Sequence, residues 1–290
     1  MNTKLTIGTR ASKLALWQAE RVKFLLETQG FSLQIKKITT KGDQILDRPL
    51  YEVGGKGLFL KEIEEELLAG KIDLAVHSLK DVPFELTEGL EIAAILERED
   101  PCDAFVSRRG LAIKDLEKES VIGTSSLRRK IQLQKRYPHL KFKEIRGNVD
   151  TRLKKLEEGA FDGIVLAVAG LKRLGLSQKI TQVLNIVPAV GQGAIGIEIR
   201  SRDGKLKKIL LPLHHAPTAQ CVSLEREYLK AVQGDCQTPL GCHVTFDEKD
   251  PHQFHMRYFL ANPDGSDYHE GKVSDSWEKA DRVLKNCLDP

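Results

Sequence analysis

The stretch VIGTSSLRR, residues 121–129, contains the unit from which the fold can be predicted. Its β-branched first residues are typical of a short buried strand, and the hydroxyl side chains after Gly123 are residue types that cap the start of a helix. A strand that leads directly into a helix is therefore predicted. Arg128 and Arg129 fall in the first helical turn, where each cation opposes the helix dipole at a cost of about 0.3–1 kcal/mol.

Units of the same kind recur on both sides of this stretch. A strand at residues 5–8 leads into a helix that Ser12 should cap, and strands near Phe142 and Ile164 also lead into helices. This alternation predicts an α/β fold with parallel sheets. In such sheets the carboxyl ends of strands and the amino ends of the next helices face one crevice, so cations at these turns should line it. Further cations expected at such turns are Arg10, Arg146, Arg152, Lys172 and Arg173.

The domain organisation follows from chain length and from a glycine-rich turn. A chain of 290 residues exceeds what one hydrophobic core usually organises. The turn at residues 191–196 precedes a strand that we expect to return to the first lobe, so that two lobes with a cleft between them are joined by a double crossing near residues 96–102 and 189–194. The predicted domains are domain 1 (1–97 and 192–213), domain 2 (98–191) and a smaller α+β domain 3 (214–290).

Composition narrows the classes of function. Hydrophobic residues make up 41% and charged residues 30% of the chain, and no apolar run reaches the length of a membrane span. Residues 1–8 lack the apolar region of a secretory signal, and the odd number of irregularly spaced cysteines fits free thiols, so a cytoplasmic protein is expected. The net charge of +4 is mild and no aromatic residues interleave with the arginines, which favours a small polyanion over nucleic acid.

Two motifs resemble known binding sites but lack a feature that those sites require. Residues 191–196 match the dinucleotide-binding pattern G-x-G-x-x-G, but a strand follows where that pattern requires a helix. Cys236, Cys242 and His243 lie close together, but no second cysteine pair completes a zinc site. Neither a nucleotide nor a metal is predicted.

Other polar residues have both a structural and a functional interpretation. The acidic run at residues 62–66 is expected on a solvated helix face. Lys80 and Asp81 follow a buried strand, either as an exposed ion pair or with Asp81 as the carboxylate that stabilises a cationic intermediate. Cys236 lies in a tight loop, where a thiolate near cations could be a nucleophile or an anchor. Any single arginine named above could instead be a solvated surface residue, but their recurrence at one structural position favours a site that grips carboxylates or phosphates.

Taken together, these segments closely resemble the hydroxymethylbilane synthase family, also called porphobilinogen deaminases. The resemblance spans about residues 4–245. It is carried by residues 7–12, 54–59, 77–83, 97–101, 123–129, 146–149, 166–175 and 234–237. It implies three domains, two of them like those of periplasmic anion-binding proteins, in a monomeric transferase. The implied reaction condenses four porphobilinogen molecules head to tail with loss of ammonia at each step, and water then releases linear hydroxymethylbilane.

The resemblance also implies roles for single residues. Cys236 matches the cysteine that holds a dipyrromethane cofactor through a thioether, Asp81 matches the catalytic aspartate, and Lys56 matches a residue of a mobile loop. Asp235 stands where the family usually has glycine. The residues that match those binding cofactor and substrate carboxylates are Arg10, Ser12, Lys80, Thr124, Ser126, Arg128, Arg129, Arg146, Arg152 and Arg173.

A second hypothesis, from another class, is a two-lobed anion-binding protein without catalysis. It explains the arginines but gives Asp81 and Cys236 no role.

Overall fold

The computed structural model describes residues 4–40, 42, 60–234 and 238–288. The chain divides into two compact units. Unit 1 comprises Met1–Arg98 and Ala194–Ala219, and unit 2 comprises Glu99–Gly193 and Gln220–Pro290.

Strands and helices alternate through most of the chain. In chain order they are β1 (Lys4–Arg10), α1 (Lys13–Glu27), β2 (Ser32–Ile38), α2 (Lys61–Leu68), β3 (Leu74–Ser78), β4 (Leu90–Ile95), β5 (Asp103–Ser107), β6 (Val121–Gly123), α3 (Leu127–Arg136), β7 (Lys141–Lys143), α4 (Val149–Glu157), β8 (Gly163–Ala167), α5 (Val168–Arg173), β9 (Gln182–Leu184), β10 (Ile195–Arg200), α6 (Gly204–Leu210), α7 (Ala216–Ala231), β11 (Leu240–Phe246), β12 (Gln253–Leu260), β13 (His269–Ser276) and α8 (Ala280–Leu288).

Unit 1 is built on a five-stranded sheet in the order β2-β1-β3-β10-β4. Strands β1, β2 and β3 are parallel, whereas β10 runs antiparallel to both β3 and β4. The prediction that the strand after residues 191–196 returns to the first lobe is therefore confirmed. Since a strand, and not a helix, follows this glycine turn, the structural context of a dinucleotide site is missing there.

Helix α1 shows how local sequence sets one layer of this unit. The Ser12 hydroxyl accepts a hydrogen bond from the Ala15 N–H, which is the predicted cap. Ala19, Val22 and Leu26 recur at helical spacing and lie in the core against the sheet. Burying that face stabilises the helix where propensity alone would not.

The acidic run at residues 62–66 departs from its prediction of a fully solvated face. Glu64 is buried in α2, and its Oε2 accepts a hydrogen bond from the Thr87 hydroxyl at 2.6 Å. The prediction was wrong at this position because a partner 23 residues away satisfies the carboxylate.

Unit 2 contains a second five-stranded sheet, in the order β7-β6-β8-β5-β9. Strands β6, β7 and β8 are parallel, whereas β5 runs antiparallel to its neighbours β8 and β9. The predicted strands near Val121, Phe142 and Ile164 are thus β6, β7 and β8. Strands β5 and β9 complete the sheet and were not predicted.

The remainder of unit 2 is an antiparallel meander, β11-β12-β13, packed with α7 and α8 around its own core. The turn at residues 262–265 joins β12 to β13, and Gly265 has a positive φ of 87° that favours glycine there. The α/β class and the α+β character of the C-terminal part are confirmed by these sheets. The division into three domains stays a prediction.

The segments near residues 96–102 and 189–194 hydrogen-bond to each other. In unit 2 the Glu99 N–H donates to the Gly193 carbonyl at 3.2 Å. Gly193 has φ +89°, and a Cβ there would overlap the Glu99 carbonyl oxygen, so only glycine fits.

No helix within the described ranges combines the length and apolar character needed to cross a membrane.

Candidate functional site

In unit 1, two strand-to-helix turns lie at the same edge of the sheet. Strand β1 ends at Arg10 and β3 ends at Ser78, and these strands are parallel neighbours. Buried Gln18, in α1, donates from Nε2 to the Ser78 hydroxyl at 2.8 Å and ties the two turns together. The structure therefore brings the segment of Arg10 and Ser12 beside the segment of Lys80 and Asp81.

The turn that carries Asp81 is held in place by a backbone hydrogen bond to the segment before β10. Leu79–Asp81 forms a single 3-10 turn after β3, and the Leu79 N–H donates to the Ala194 carbonyl at 3.0 Å. Leu79 and Val82 are buried, whereas Lys80 and Asp81 are half-buried. A rigid turn thus holds two partly exposed polar side chains, which is the arrangement expected of a binding or catalytic segment.

A buried polar cluster in the same unit was missed by sequence reasoning. His77 Nε2 lies 3.1 Å from Glu198 Oε2, and both side chains are almost fully buried. Burial raises the pKa of the nearby Glu64 carboxyl, and Glu198 adds to this, whereas the Thr87 hydrogen bond and His77 oppose it. The only sign of this cluster in the sequence was that His77 and Glu198 are polar residues at strand positions that should be buried.

In unit 2, the parallel strands β6, β7 and β8 place three more turns at one edge of the second sheet. The Thr124 N–H donates to the Lys143 carbonyl at 3.0 Å, and the Ser125 hydroxyl donates to the Ile145 carbonyl at 2.7 Å. Ser126 caps α3 by accepting from the Arg129 N–H. The cap predicted from the sequence is thus present, and it lies beside the segment that leads to Arg146.

Arg128 and Arg129 are not solvated. They are 4% and 6% exposed, and both pair with Asp103, a fully buried carboxylate at the start of β5. Arg128 Nη1 donates to Asp103 Oδ2 at 2.7 Å, and Arg129 Nε donates to Oδ1 at 2.9 Å. Burial alone would raise the pKa of Asp103, but the two guanidinium groups hold it well below its usual range. Sequence analysis did not identify Asp103, because nothing local marks it as their partner.

Arg146 and Arg152 flank the start of α4 as predicted. Arg152 Nε donates to the Gly147 carbonyl at 2.7 Å. The Arg146 Nε is buried and has no hydrogen-bond partner within the described part of the chain, and Glu144 Oε2 lies 3.7 Å from it. A buried donor without an acceptor costs about 1–3 kcal/mol, so this position suits an external anion.

Lys172 and Arg173 correct a prediction. They lie in the last turn of α5, because that helix begins at Val168. Cations there favour the helix dipole instead of opposing it. Arg173 Nη2 donates to the Gly193 carbonyl at 2.6 Å, and burial lowers the pKa of Arg173 to about 10, with Glu99 acting in the opposite direction.

Some predicted residues lie outside the described part of the chain. These are Lys56, Cys236 and the adjacent Asp235. The free cysteines that are described are Cys102, Cys221, Cys242 and Cys287. Burial, helped by Asp100, raises the pKa of the half-buried Cys102 thiol to about 11, so this cysteine is a poor nucleophile.

Among the residues that the structure describes, no group of three or more His, Cys, Asp or Glu side chains could hold a metal ion.

Comparison with known proteins gives two matching family models. One is described as porphobilinogen deaminase, dipyromethane cofactor binding domain, and matches residues 5–208. The other is described as porphobilinogen deaminase, C-terminal domain, and matches residues 219–289.

The chain is also similar to named porphobilinogen deaminases and to a solved structure. A porphobilinogen deaminase of Thiobacillus denitrificans is 52% identical over 280 residues, which cover 93% of this chain and 90% of the relative. A porphobilinogen deaminase of Laribacter hongkongensis is 47% identical over 295 residues, covering 99% of this chain and 95% of the relative. A solved structure, the VFT2 domain of BvgS from Bordetella pertussis, is similar with a TM-score of 0.43 and 15% identity, over 76% of this chain and 91% of that one.

Proposed function

This chain belongs to the porphobilinogen deaminase family, and we propose that it condenses four porphobilinogen molecules head to tail, releasing ammonia at each step, and that hydrolysis by water then frees the product as linear hydroxymethylbilane. The matching of residues 5–208 to a cofactor-binding domain assigns it the dipyrromethane cofactor. The family, the enzyme class and the cofactor predicted from the sequence are confirmed by these matches. The alternative of an anion-binding protein without catalysis is not favoured, because the curated relatives are deaminases.

The observation that carries the residue assignments is the presence of guanidinium nitrogens that make no hydrogen bond within the described part of the chain. Arg146 Nε is one. In the described ranges, Arg128 Nε and Nη2 also have no recorded acceptor, although the residue is only 4% exposed. Every pyrrole of the substrate and cofactor carries an acetate and a propionate, and Arg binds carboxylates through paired N–H donors. The donor set therefore fits the chemistry of the dipyrromethane.

In unit 2 we assign carboxylate binding to five arginines and two hydroxyl residues. Thr124 and Ser126 lie in the loop before α3, where backbone N–H groups at a helix start also attract anions. The arginines are Arg128, Arg129, Arg146, Arg152 and Arg173, the last of which is a buried cation at the same sheet edge.

In unit 1 we assign the chemistry to Asp81. A carboxylate held on a fixed turn stabilises positive charge that develops on a pyrrole nitrogen as ammonia leaves and as the new carbon–carbon bond forms. Arg10, Ser12 and Lys80, at the same sheet edge, bind carboxylates of the chain being extended. At this sheet edge, Arg10, Ser12 and Lys80 thus orient the chain being extended, and Asp81 stabilises the developing positive charge.

Cys236 is the proposed attachment point, through a thioether. When bound, the dipyrromethane primes the growing chain and is retained when product leaves. We further propose a cytoplasmic monomer. The free thiols of the described cysteines fit a reducing compartment.

Incubation of the purified protein with porphobilinogen tests this function. We expect release of ammonia and formation of hydroxymethylbilane. Binding of porphobilinogen without ammonia release would refute the proposal and favour a binding protein.

A further inference from the structure

We propose that Asp103, supported by Gln192, is a positioning residue that orients Arg128 so that its Nε and Nη2 edge binds a carboxylate of the pyrrole chain. This inference rests on the proposed function. It assigns different tasks to two neighbouring arginines that the sequence presents as equivalent.

Arg129 is occupied by contacts within the protein. Its Nε and Nη2 lie 2.9 and 2.7 Å from Asp103 Oδ1, and its Nη1 donates to the Val165 carbonyl at 2.9 Å. Every nitrogen of this guanidinium therefore faces an internal acceptor, so Arg129 contributes its positive charge to the proposed carboxylate site and Arg128 supplies the donors. Arg129 fixes Asp103 to strand β8 and to the first turn of α3.

Arg128 is held by one nitrogen only. Its Nη1 donates to Asp103 Oδ2 at 2.7 Å and to the Val187 carbonyl at 2.6 Å. Its Nε and Nη2 make no hydrogen bond within residues 4–40, 42, 60–234 and 238–288 and, unlike Arg146 Nε, are not fully buried, so this edge of an otherwise 95% buried side chain is accessible. A carboxylate is the group that satisfies two adjacent N–H donors at once, so it is the ligand that fits this accessible edge.

The acceptors that hold Arg128 are themselves fixed. Gln192 Nε2 donates to Asp103 Oδ1 at 3.0 Å and to the Pro101 carbonyl at 2.6 Å. Gln132 holds Val187 from both sides, because its Oε1 accepts from the Val187 N–H at 2.7 Å and its Nε2 donates to the Val187 carbonyl at 3.1 Å. Because other hydrogen bonds hold both acceptors in place, the Nε and Nη2 edge of Arg128 is oriented before any ligand binds.

Charge explains why an acidic residue is needed at this place. Two cations in the first turn of α3 repel each other and oppose the helix dipole. One buried carboxylate between them removes most of that cost and leaves one net positive charge. Without Asp103, we expect both side chains to separate and the free edge of Arg128 to lose its orientation.

Three variants test the role of Asp103. Asp103→Asn removes the charge and one acceptor, and Gln192→Met removes the hydrogen bond that holds Asp103 while it keeps the side-chain volume. Asp162→Asn is the matched control, since Asp162 accepts from the Val121 N–H at 2.9 Å at the start of β6 and contacts neither arginine. The measurements are the KM for porphobilinogen, kcat for ammonia release, the intact mass and the Tm.

For Asp103→Asn we expect the KM to rise about tenfold or more, as for the loss of a charged hydrogen bond at a binding site. Gln192→Met should raise the KM in the same direction by a smaller factor. Asp162→Asn should leave the KM unchanged even if its Tm falls.

A merely structural role makes a different prediction. It lowers the Tm and the active fraction, and with it the apparent kcat, while the KM stays at the wild-type value. That result in folded Asp103→Asn would overturn the inference, and if Asp103→Asn does not fold, an unchanged KM in Gln192→Met would overturn it. Absence of ammonia release from the wild-type protein would instead refute the proposed function, so the two failures are distinguishable.

Discussion

His77 on β3 and Glu198 on β10 form a buried pair, with Nε2 and Oε2 3.1 Å apart and side-chain exposures of 5% and 0%. The other carboxylate oxygen of Glu198 is buried and has no hydrogen-bond partner in the described part of the chain. His77 lies on the strand that leads into the Asp81 turn, four residues before the proposed catalytic group. Loss of the His77–Glu198 pair should therefore affect both the stability of unit 1 and the position of that turn.

Glu198→Ala should strongly destabilise the protein. Removal of one partner of a buried pair leaves the other desolvated and uncompensated, at a cost of about 3–5 kcal/mol. Urea denaturation measures the change in the free energy of unfolding. Glu27→Ala is the control, because Glu27 pairs with Lys23 on the exposed face of α1, where such a pair contributes about 0.5 kcal/mol or less. Similar losses for both variants would show that the buried pair has no special weight.

Asp81→Asn should keep the cofactor and almost abolish turnover. The substitution preserves shape but removes the charge that stabilises a cationic pyrrole, and loss of such a group commonly costs a factor of about 100 to 1,000 in kcat. Intact mass reports cofactor attachment, and ammonia release reports turnover. Glu88→Gln, an exposed carboxylate of the same unit, should behave as wild type. A wild-type rate in Asp81→Asn would remove Asp81 from the mechanism.

Local signals predicted most of the fold. The caps at Ser12 and Ser126 depend on residues within three positions, and the strand-to-helix alternation depends on periodicity, so both can be seen in the sequence. Arg173 was placed at the wrong end of its helix, because α5 starts at Val168 and is only one and a half turns long. An error of a few residues in a boundary is enough to reverse the relation of a cation to the helix dipole.

Partners distant in sequence could not be predicted. Asp103 is 25 residues from Arg128 and Glu198 is 121 residues from His77, and neither pairing leaves a local pattern. Strand β5 is buried on both faces and short, so it shows no alternation that would have identified it or its first residue. The two clusters that the sequence did not predict therefore depend on tertiary contacts alone.

The stabilising contribution of Asp103 should depend on pH. Its pKa in the folded state is held below that of the unfolded chain, about 3.9, so the stabilisation is fully present above that value and is lost as pH falls towards the folded pKa. The difference in unfolding free energy between wild type and Asp103→Asn should thus be constant from pH 5 to 7 and shrink below about pH 4. Denaturation in urea at a series of pH values measures it. A difference that grows on acidification would contradict the assignment.

Gly193→Ala should destabilise the protein because of backbone geometry. The φ of +89° disfavours any side chain, by about 1–2 kcal/mol, and the new Cβ would also overlap the Glu99 carbonyl oxygen. Gly204→Ala is the control, since Gly204 begins α6 with open space around it and should be neutral or slightly stabilising. Thermal denaturation of both variants measures the contrast, and equal Tm values would show that the crossing segment relaxes at no cost.

Cys236→Ser should yield a chain without the dipyrromethane adduct and without ammonia release. The reason is chemical, since a serine hydroxyl cannot form the proposed thioether and is a much weaker nucleophile than a thiol. Cys102→Ser is the matched control, because the half-buried Cys102 has a pKa raised to about 11 and stays protonated at neutral pH. Intact-mass measurement of both variants should show the adduct in Cys102→Ser and its absence in Cys236→Ser. The opposite result, an adduct that persists in Cys236→Ser and disappears in Cys102→Ser, would show that the cofactor is attached to Cys102. Because the surroundings of Cys102 suppress its thiolate, the proposed attachment chemistry would then be wrong.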